Sequence, residues 1–384
     1  MFRIKQYLKM LLQNVFLPLV YAWYARRPIQ RGLVLFADAH HEEIPFSMRR
    51  MYEEVSGNNQ GKWEIEVYVR DLNKISYGEM LRYLVHFMKQ YAAAEYVFIC
   101  DYYLPVAACK KRKETTVVQL WHSCGLMKKI AYDAGDDIPK NYKGNMFGNY
   151  SLLTLSAKIC VPVHERALHL PKEHIRATGV SRTDYYFDRD WNETCRQNFY
   201  RQYPKAEGKK IALWAPTFRG NAAAPKLCGL EAVQKAAKDL GEEWFFIIKV
   251  HPHLDAHGRI SNCTIPTEEL LCVADVLITD YSSVMFDYLI YEKPLVLFAP
   301  DLREYENGRG FYIDYRSMPF PVVEREEDLK RAVEDCILES EERKEALRKW
   351  KERYTGACDG FSTQRILALI GMETGRKTAG MEEA

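Results

Sequence analysis

Residues 274–288 read ADVLITDYSSVMFDY, an apolar strand that runs into a hydroxyl-rich turn and then into an apolar helix. In an open α/β sheet, a strand ending in such a turn is where backbone N–H groups and side-chain hydroxyls meet a phosphate. Asp280, Tyr281, Ser282 and Ser283 fill the turn. Ser282 and Ser283 are placed to donate to phosphate oxygens, and the start of a helix over 285–290 adds its partial positive charge. The plainer alternative is that Ser282 only caps that helix.

On either side of this stretch, apolar runs alternate with helical patterns. The first half offers strands at 32–37, 63–69, 96–100, 117–120 and 152–155, and the second at 211–214, 244–250, 276–279 and 295–298. Continuous apolar strands alternating with helices predict parallel sheets covered on both faces. A chain of 384 residues exceeds what one core supports, so two doubly wound domains are expected, with a cleft at the carboxyl ends of their strands. The polar helical stretch 188–203 reads as the crossing between them. The expected domains are 28–190 and 191–354, followed at 355–384 by a helix over 361–370 that packs back across the domains and a disordered tail. Residues 326–354 read as a strongly helical, charged segment with solvated i,i+4 pairs.

The net charge of +2 gives no general case for nucleic-acid binding, so any basic chemistry must be local. Ten cysteines are scattered singly, without C-x-x-C or the paired spacing of a zinc site, a pattern suited to a reducing cytoplasm. Only Cys124 sits inside a motif, and nothing in the sequence fixes a base beside it. No acidic cluster compels a metal.

Residues 7–25, YLKMLLQNVFLPLVYAWYA, are the compositional anomaly of the chain. No convincing cleavage site follows them, and Lys9, Gln13, Asn14 and Pro18 make them a poor bilayer span. Residues 1–27 therefore read as a helix lying in the headgroup region, with Arg26, Arg27 and Arg31 drawn to anionic lipid. Packing of the helix on its own domain or on a partner is the alternative. The run KKRK at 110–113 either reinforces attachment or is a solvated face.

Polar turns recur at strand ends. After 117–120 comes Trp121-His122-Ser123-Cys124-Gly125-Leu126, with Lys128 and Lys129 beyond. His122 is placed to act as a base or to bind an anion, or is satisfied in its turn. Arg182, in GVSRTD, offers a forked cation to a phosphate or pairs with Asp184. In the second half, Thr217, Phe218 and Arg219 follow one strand. Lys249 and His251 lie at the end of another, where Pro252 biases His251 toward an extended backbone. Asp287 sits in the helix after the DYSS turn, and Arg309 lies between glycines in YENGRGFY.

In this order WHSCGLMKK, GVSRTD, APTFR, KVHPH, ADVLITDYSSVMFDY and KPLVLFAPDLREYENGRGFY resemble the CDP-glycerol glycerophosphotransferases of wall teichoic acid synthesis over most of 120–315. The resemblance implies a GT-B fold on the cytoplasmic face of the cell membrane, peripherally bound. It implies transfer of glycerol phosphate from CDP-glycerol to a lipid-linked glycan acceptor with release of CMP, some relatives using CDP-ribitol. Carried over residue by residue, His122 is the expected catalytic base and His251 the second essential histidine, at the pyrophosphate. Ser123, Cys124, Gly125, Leu126, Arg182, Thr217, Phe218, Lys249, Ser282, Ser283 and Asp287 are expected to contact the donor. Arg309 is added from its own context.

Two departures stand out. The family's histidine-glycine-threonine reads His122-Ser123-Cys124, and its proline-glycine-proline reads Pro319-Phe320-Pro321. No cofactor is expected to be required, and divalent metal dependence and self-association are left open. A nucleotide-sugar glycosyltransferase of the same architecture, or a binding module disabled at Ser123 and Cys124, are the competing readings. The absence of a long extra N-terminal domain leans toward a primase-like or capsule-associated member.

Overall fold

The computed structural model describes residues 10–57, 59, 61–135, 137–138, 145–220, 226–250, 262–338 and 340–373. It divides the chain into two compact units. The first comprises 1–122, 139–184 and 357–384, and the second 123–138 and 185–356.

In the first unit, a π-helical turn (Leu12–Phe16) leads into α1 (Leu17–Tyr24), then β1 (Gln30–Asp38), α2 (Phe46–Gly57), β2 (Glu64–Val69), α3 (Tyr77–Tyr91), β3 (Ala94–Ile99), α4 (Leu104–Ala107), β4 (Thr116–Gln119), β5 (Leu152–Thr154), α5 (Val161–Leu168) and β6 (Ile175–Arg176). All six strands pair in parallel, in the order β2-β1-β3-β4-β5-β6. The step from β1 to β2 and the step back from β2 to β3 run in opposite directions. Right-handed crossovers therefore place α2 and α3 on opposite faces, and α5 on the face of α3. Leu33 to Ala37 are buried to within 1% of complete, because β1 is covered on both faces.

The second unit contains α6 (Arg189–Gln202), β7 (Lys210–Trp214), α7 (Leu230–Asp239), β8 (Trp244–Ile248), α8 (Thr267–Leu270), β9 (Val276–Thr279), α9 (Val284–Leu289), β10 (Leu295–Phe298), α10 (Leu302–Gly308), β11 (Val322–Val323), α11 (Leu329–Cys336) and α12 (Glu341–Thr355). Its five strands are parallel, in the order β11-β10-β9-β7-β8. Trp214, Ile278, Val296 and Phe298 pack there against Val233 of α7 and Leu329 and Val333 of α11. The chain then returns to the first unit as α13 (Ser362–Leu369), whose Ile366 and Leu367 join Val34, Phe36 and Phe98 and the α2 residues Met48, Met51 and Val55. Thus α13 shares the face of α2.

The expected strands are present, β9 and β10 at the expected bounds. Residues 326–354 are helical as expected, divided into a short 3-10 turn, α11 and α12, with Ser340 Oγ accepting the Arg343 N–H at 3.4 Å to begin α12. One correction concerns a charged run. The KKRK run is not wholly a solvated or lipid-facing patch. Arg112 donates to the carbonyls of Ala25, Arg27 and Ala92, and Lys111 to that of Thr115.

Those contacts fix the N-terminal helix. Leu17 and Tyr21 are buried, the Tyr21 ring lies 5.2 Å from Tyr91, and its hydroxyl accepts the Arg112 N–H at 3.0 Å. The opposite side leaves Leu11, Val15, Leu19 and Trp23 exposed at i,i+4 spacing. No helix among the described residues is long and apolar enough to cross a membrane.

Candidate active site

His122 belongs to the first unit, just beyond β4. The turn that presents it is strained. Trp121 has φ 60, rare for a bulky side chain, and its N–H is caught by Gln119 Oε1 at 3.0 Å. The His122 ring stacks on Trp121, is about half exposed, and directs Nδ1 to the Cys100 carbonyl at 3.3 Å, with Asp101 Oδ1 at 3.9 Å. A carbonyl only accepts, so Nδ1 carries a proton, and it is Nε2 that holds the lone pair in the neutral tautomer. Arg182 is buried in the same unit, while Asp184 accepts from the N–H groups of Ser362 and Thr363.

Behind Trp121 lies His164, a residue the sequence did not single out. It is fully buried in α5, with Nδ1 donating to the Cys160 carbonyl at 2.9 Å. Burial pushes its pKa down to about 4, against the Cys160 hydrogen bond. Between that value and the free-histidine value of about 6.5 the unfolded chain takes up a proton that the folded chain refuses. Stability is therefore complete above pH 6.5 and falls by up to about 3 kcal/mol as pH drops toward 4. Urea unfolding at pH 7 and pH 4.5 should show this slope in the native protein and a weaker one in His164→Gln; equal slopes would exclude His164 as its source.

The remaining described candidates belong to the second unit. Residues 123–138 are held there by the loop after α10. Lys128 bridges Phe311, Tyr312 N–H donates to the Met127 carbonyl at 2.9 Å, and Arg309 Nε donates to the Lys129 carbonyl at 2.9 Å. Arg309 also pairs with Asp137 at 2.6 Å. Gly125 has φ +67, and a Cβ on it would strike the Phe286 ring, so only glycine permits this approach to α9. Cys124 and Leu126 are buried on either side. The structure thus joins two motifs, WHSCGLMKK and YENGRGFY, that lie far apart in sequence.

At the carboxyl ends of β7 and β9 the Thr217 N–H donates to Asp280 Oδ1 at 2.8 Å. Thr217 Oγ1 is buried with no hydrogen-bond partner among the described residues. Arg219 is the hub here. Its guanidinium binds Asp280 at 2.8 Å and both oxygens of Asp301 at 2.6 and 2.9 Å, and lies 4.6 Å from the Tyr281 ring centre. Burial opposes its charge, but the two carboxylates hold it firmly protonated. Burial likewise works to raise the Asp301 carboxyl, and the hydrogen bonds and charge of Arg219 keep it below its ordinary value. The Tyr281 hydroxyl donates to Asp301 at 2.9 Å, and that of Tyr315 to the Asp280 carbonyl at 2.9 Å.

Phe218 follows Thr217 in this turn. Lys249, one residue past β8, donates its ammonium to the Cys263 carbonyl at 2.8 Å. Ser282 Oγ accepts the Val284 N–H at 3.3 Å, while the residue at the N-cap of α9 is Ser283, whose side chain makes no cap hydrogen bond. Ser283 precedes α9 and Asp287 is buried within it. His251 lies outside the described residues. Among the described residues no group of three or more His, Cys, Asp or Glu side chains is placed to hold a metal ion.

Comparison by sequence finds enzymes of teichoic acid synthesis. The chain is 28% identical over 368 residues to the teichoic acid ribitol-phosphate primase of Bacillus spizizenii, covering 89% of this chain and 92% of that one. It is 28% identical over 295 residues to the teichoic acid glycerol-phosphate primase of Bacillus subtilis, covering 71% and 73%. The α/β architecture of parallel sheets is GT-B-like. It matches the wall teichoic acid polymerase TagF with a TM-score of 0.72 over 96% of this chain and 97% of that structure, at 18% identity. A family profile aligns with residues 19–371, spanning the strand-end turns just described, and the chain therefore belongs to the CDP-glycerol:poly(glycerophosphate) glycerophosphotransferase family.

Proposed function

We propose that this protein transfers glycerol phosphate from CDP-glycerol to a hydroxyl of a lipid-linked glycan acceptor in teichoic acid or related cell-surface polymer synthesis. The acceptor oxygen attacks the phosphorus that bears glycerol. The bond from that phosphorus to the bridging oxygen breaks, CMP leaves, and the hydroxyl proton passes to His122 Nε2. Such a displacement needs orientation and charge neutralisation rather than covalent help.

The observation that carries this reading is the buried, unpartnered Thr217 hydroxyl, held at a strand end by Asp280 immediately before Tyr281-Ser282-Ser283. A hydroxyl kept dry and unpaired is costly unless a ligand completes it. Ser282 and Ser283 supply further donors to the pyrophosphate, and Phe218, Asp287 and residues 123–126 shape the nucleotide site, while Arg182 and His251 enter as donor contacts on their sequence motifs alone. Lys249 and Arg309, already engaged with Cys263 and Asp137, act by holding their loops.

CDP-ribitol is the second reading, favoured by the ribitol-phosphate primase match over 92% of that protein's length. Nucleotide release decides, measured as CMP from CDP-glycerol or CDP-ribitol and as UDP from a UDP-sugar, each with a lipid-linked acceptor analogue. Release from CDP-glycerol supports the proposal, release from CDP-ribitol alone changes the donor, and release of UDP would replace it with glycosyl transfer.

The exposed apolar side of the N-terminal helix supports peripheral attachment to an anionic cytoplasmic leaflet, with Arg26 lying 4.9 Å from the Trp23 ring. Deleting the helix would also uncover the core at Leu17 and Tyr21, so point changes test attachment better. Leu19→Glu with Trp23→Glu should cut sedimentation with anionic vesicles by at least tenfold while leaving the melting temperature unchanged. Undiminished sedimentation would remove this helix from the membrane contact.

A further inference from the structure

A groove of about 620 Å³ crosses the β6 edge of the first unit's sheet. None of the candidate donor-site residues lines it, although Ala177 and Thr178, which do, follow directly on β6. Its walls come from opposite faces of the sheet. Val161 begins α5 on one side, Ala368 and Leu369 end α13 on the other, and Ile175 of β6 lies between them. Four cations join this apolar lining: Lys158, Lys172, Arg176 and Arg365. Arg365 is compensated by Asp359 at 2.7 Å. Arg176 meets only the carbonyls of Lys172 and Ile175. Among the described residues no carboxylate pairs with Lys158, Lys172 or Arg176, in a chain whose other surface cations are widely paired.

Uncompensated positive charge beside an apolar wall selects a particular chemistry. A free phosphate uses the cations and leaves the wall wet. A neutral lipid covers the wall and leaves the cations without an anion. Only an anionic head on an apolar tail uses both. We propose that this groove binds a phosphate or diphosphate carrying an isoprenoid chain, with the head on Lys158, Lys172 and Arg176 and the first chain carbons against Val161, Ile175 and Leu369. It rests on the function proposed above only in naming the source, the lipid anchor of the acceptor. The groove is then the acceptor's docking site, separate from the donor contacts at the strand ends.

The test uses the full-length protein and farnesyl diphosphate as probe, in titration calorimetry. Farnesyl diphosphate should bind at least tenfold more tightly than inorganic diphosphate or farnesol. Each methylene buried along a chain-length series should tighten binding about fourfold. Lys158→Glu with Lys172→Glu, and separately Leu369→Asp, should each weaken binding at least tenfold with unchanged melting temperature, since all three side chains are exposed.

Equal affinity for inorganic diphosphate would leave an anion site only, and equal affinity for farnesol an apolar patch only. Equal affinity for dihexanoyl phosphatidic acid would make the groove a contact to bulk phospholipid rather than to the acceptor. Undiminished binding by the variants would place the site elsewhere. Each of these overturns the proposal. CMP release by the unaltered protein with a water-soluble acceptor tests the transferase reading separately, so either idea can fail without the other.

Discussion

Arg219→Met should lower the stability of the second unit by about 3–4 kcal/mol, the range for removing one partner of a buried ion pair. The reason is what stays behind. The Asp280 and Asp301 side chains are only 4% and 17% exposed, and both lose their counter-charge together. Thermal unfolding should register a drop on the order of 10 °C for a unit of this size. Arg219→Lys keeps a cation but loses the fork that grips both oxygens of Asp301, and should fall between the two. Adding Asp301→Asn to Arg219→Met should recover part of the loss, because it removes one stranded charge. If the single variant melts within 2 °C of the native protein, the network does not stabilise the unit.

The acid limb of that comparison has a definite sign. Asp301 is held below its ordinary carboxyl value in the folded chain. Its contribution is therefore complete above the unfolded carboxylate value of about 3.9, and is lost as pH falls through the lower folded value. The gap between native and Arg219→Met proteins should narrow only in that acidic window.

Arg219 also shows where sequence reading stops. Its place just past a strand is visible in APTFR, but its partner Asp301 lies 82 residues away, after β10, and nothing local announces the pairing. The strands themselves were legible because parallel strands covered on both faces are continuous apolar runs, bounded by residues such as Asp280 and Pro294. β6 and β11 were not. Each has two residues at a sheet edge, too short for any period to show. KKRK misled for a related reason. Charge says nothing about direction, and Arg112 turns inward to three carbonyls that water would otherwise have satisfied. The break between α11 and α12 was legible in principle, since Ser340 before Glu341 and Glu342 is a helix-start signature inside an otherwise uninterrupted charged pattern. Among site residues, the strand-end turns were found because polar side chains directly after apolar strands are conspicuous. Asp137 and Asp301 were missed because they act through partners distant in sequence, Arg309 and Arg219.

His122→Ala should reduce kcat for CMP release about 10³-fold, within the range for loss of a positioned general base, while the KM for CDP-glycerol changes little. The tautomer of the ring sets where the proton goes. Nδ1 faces the Cys100 carbonyl, so a proton arriving from the acceptor hydroxyl has only Nε2 to go to. Fold and site separate cleanly at this residue, because a half-exposed ring contributes little burial and the variant should keep the native melting temperature. His122→Gln retains hydrogen-bonding capacity without basicity and should be as slow as the alanine variant. If glutamine instead restores more than a tenth of the native rate, the ring orients the acceptor and does not take its proton. Asp101→Asn should cost much less, on the order of tenfold, because a carboxylate 3.9 Å from Nδ1 adjusts the ring rather than receiving the proton. A loss at Asp101 as large as that at His122 would make the two a unit, in which the carboxylate stabilises the imidazolium formed when Nε2 takes the proton.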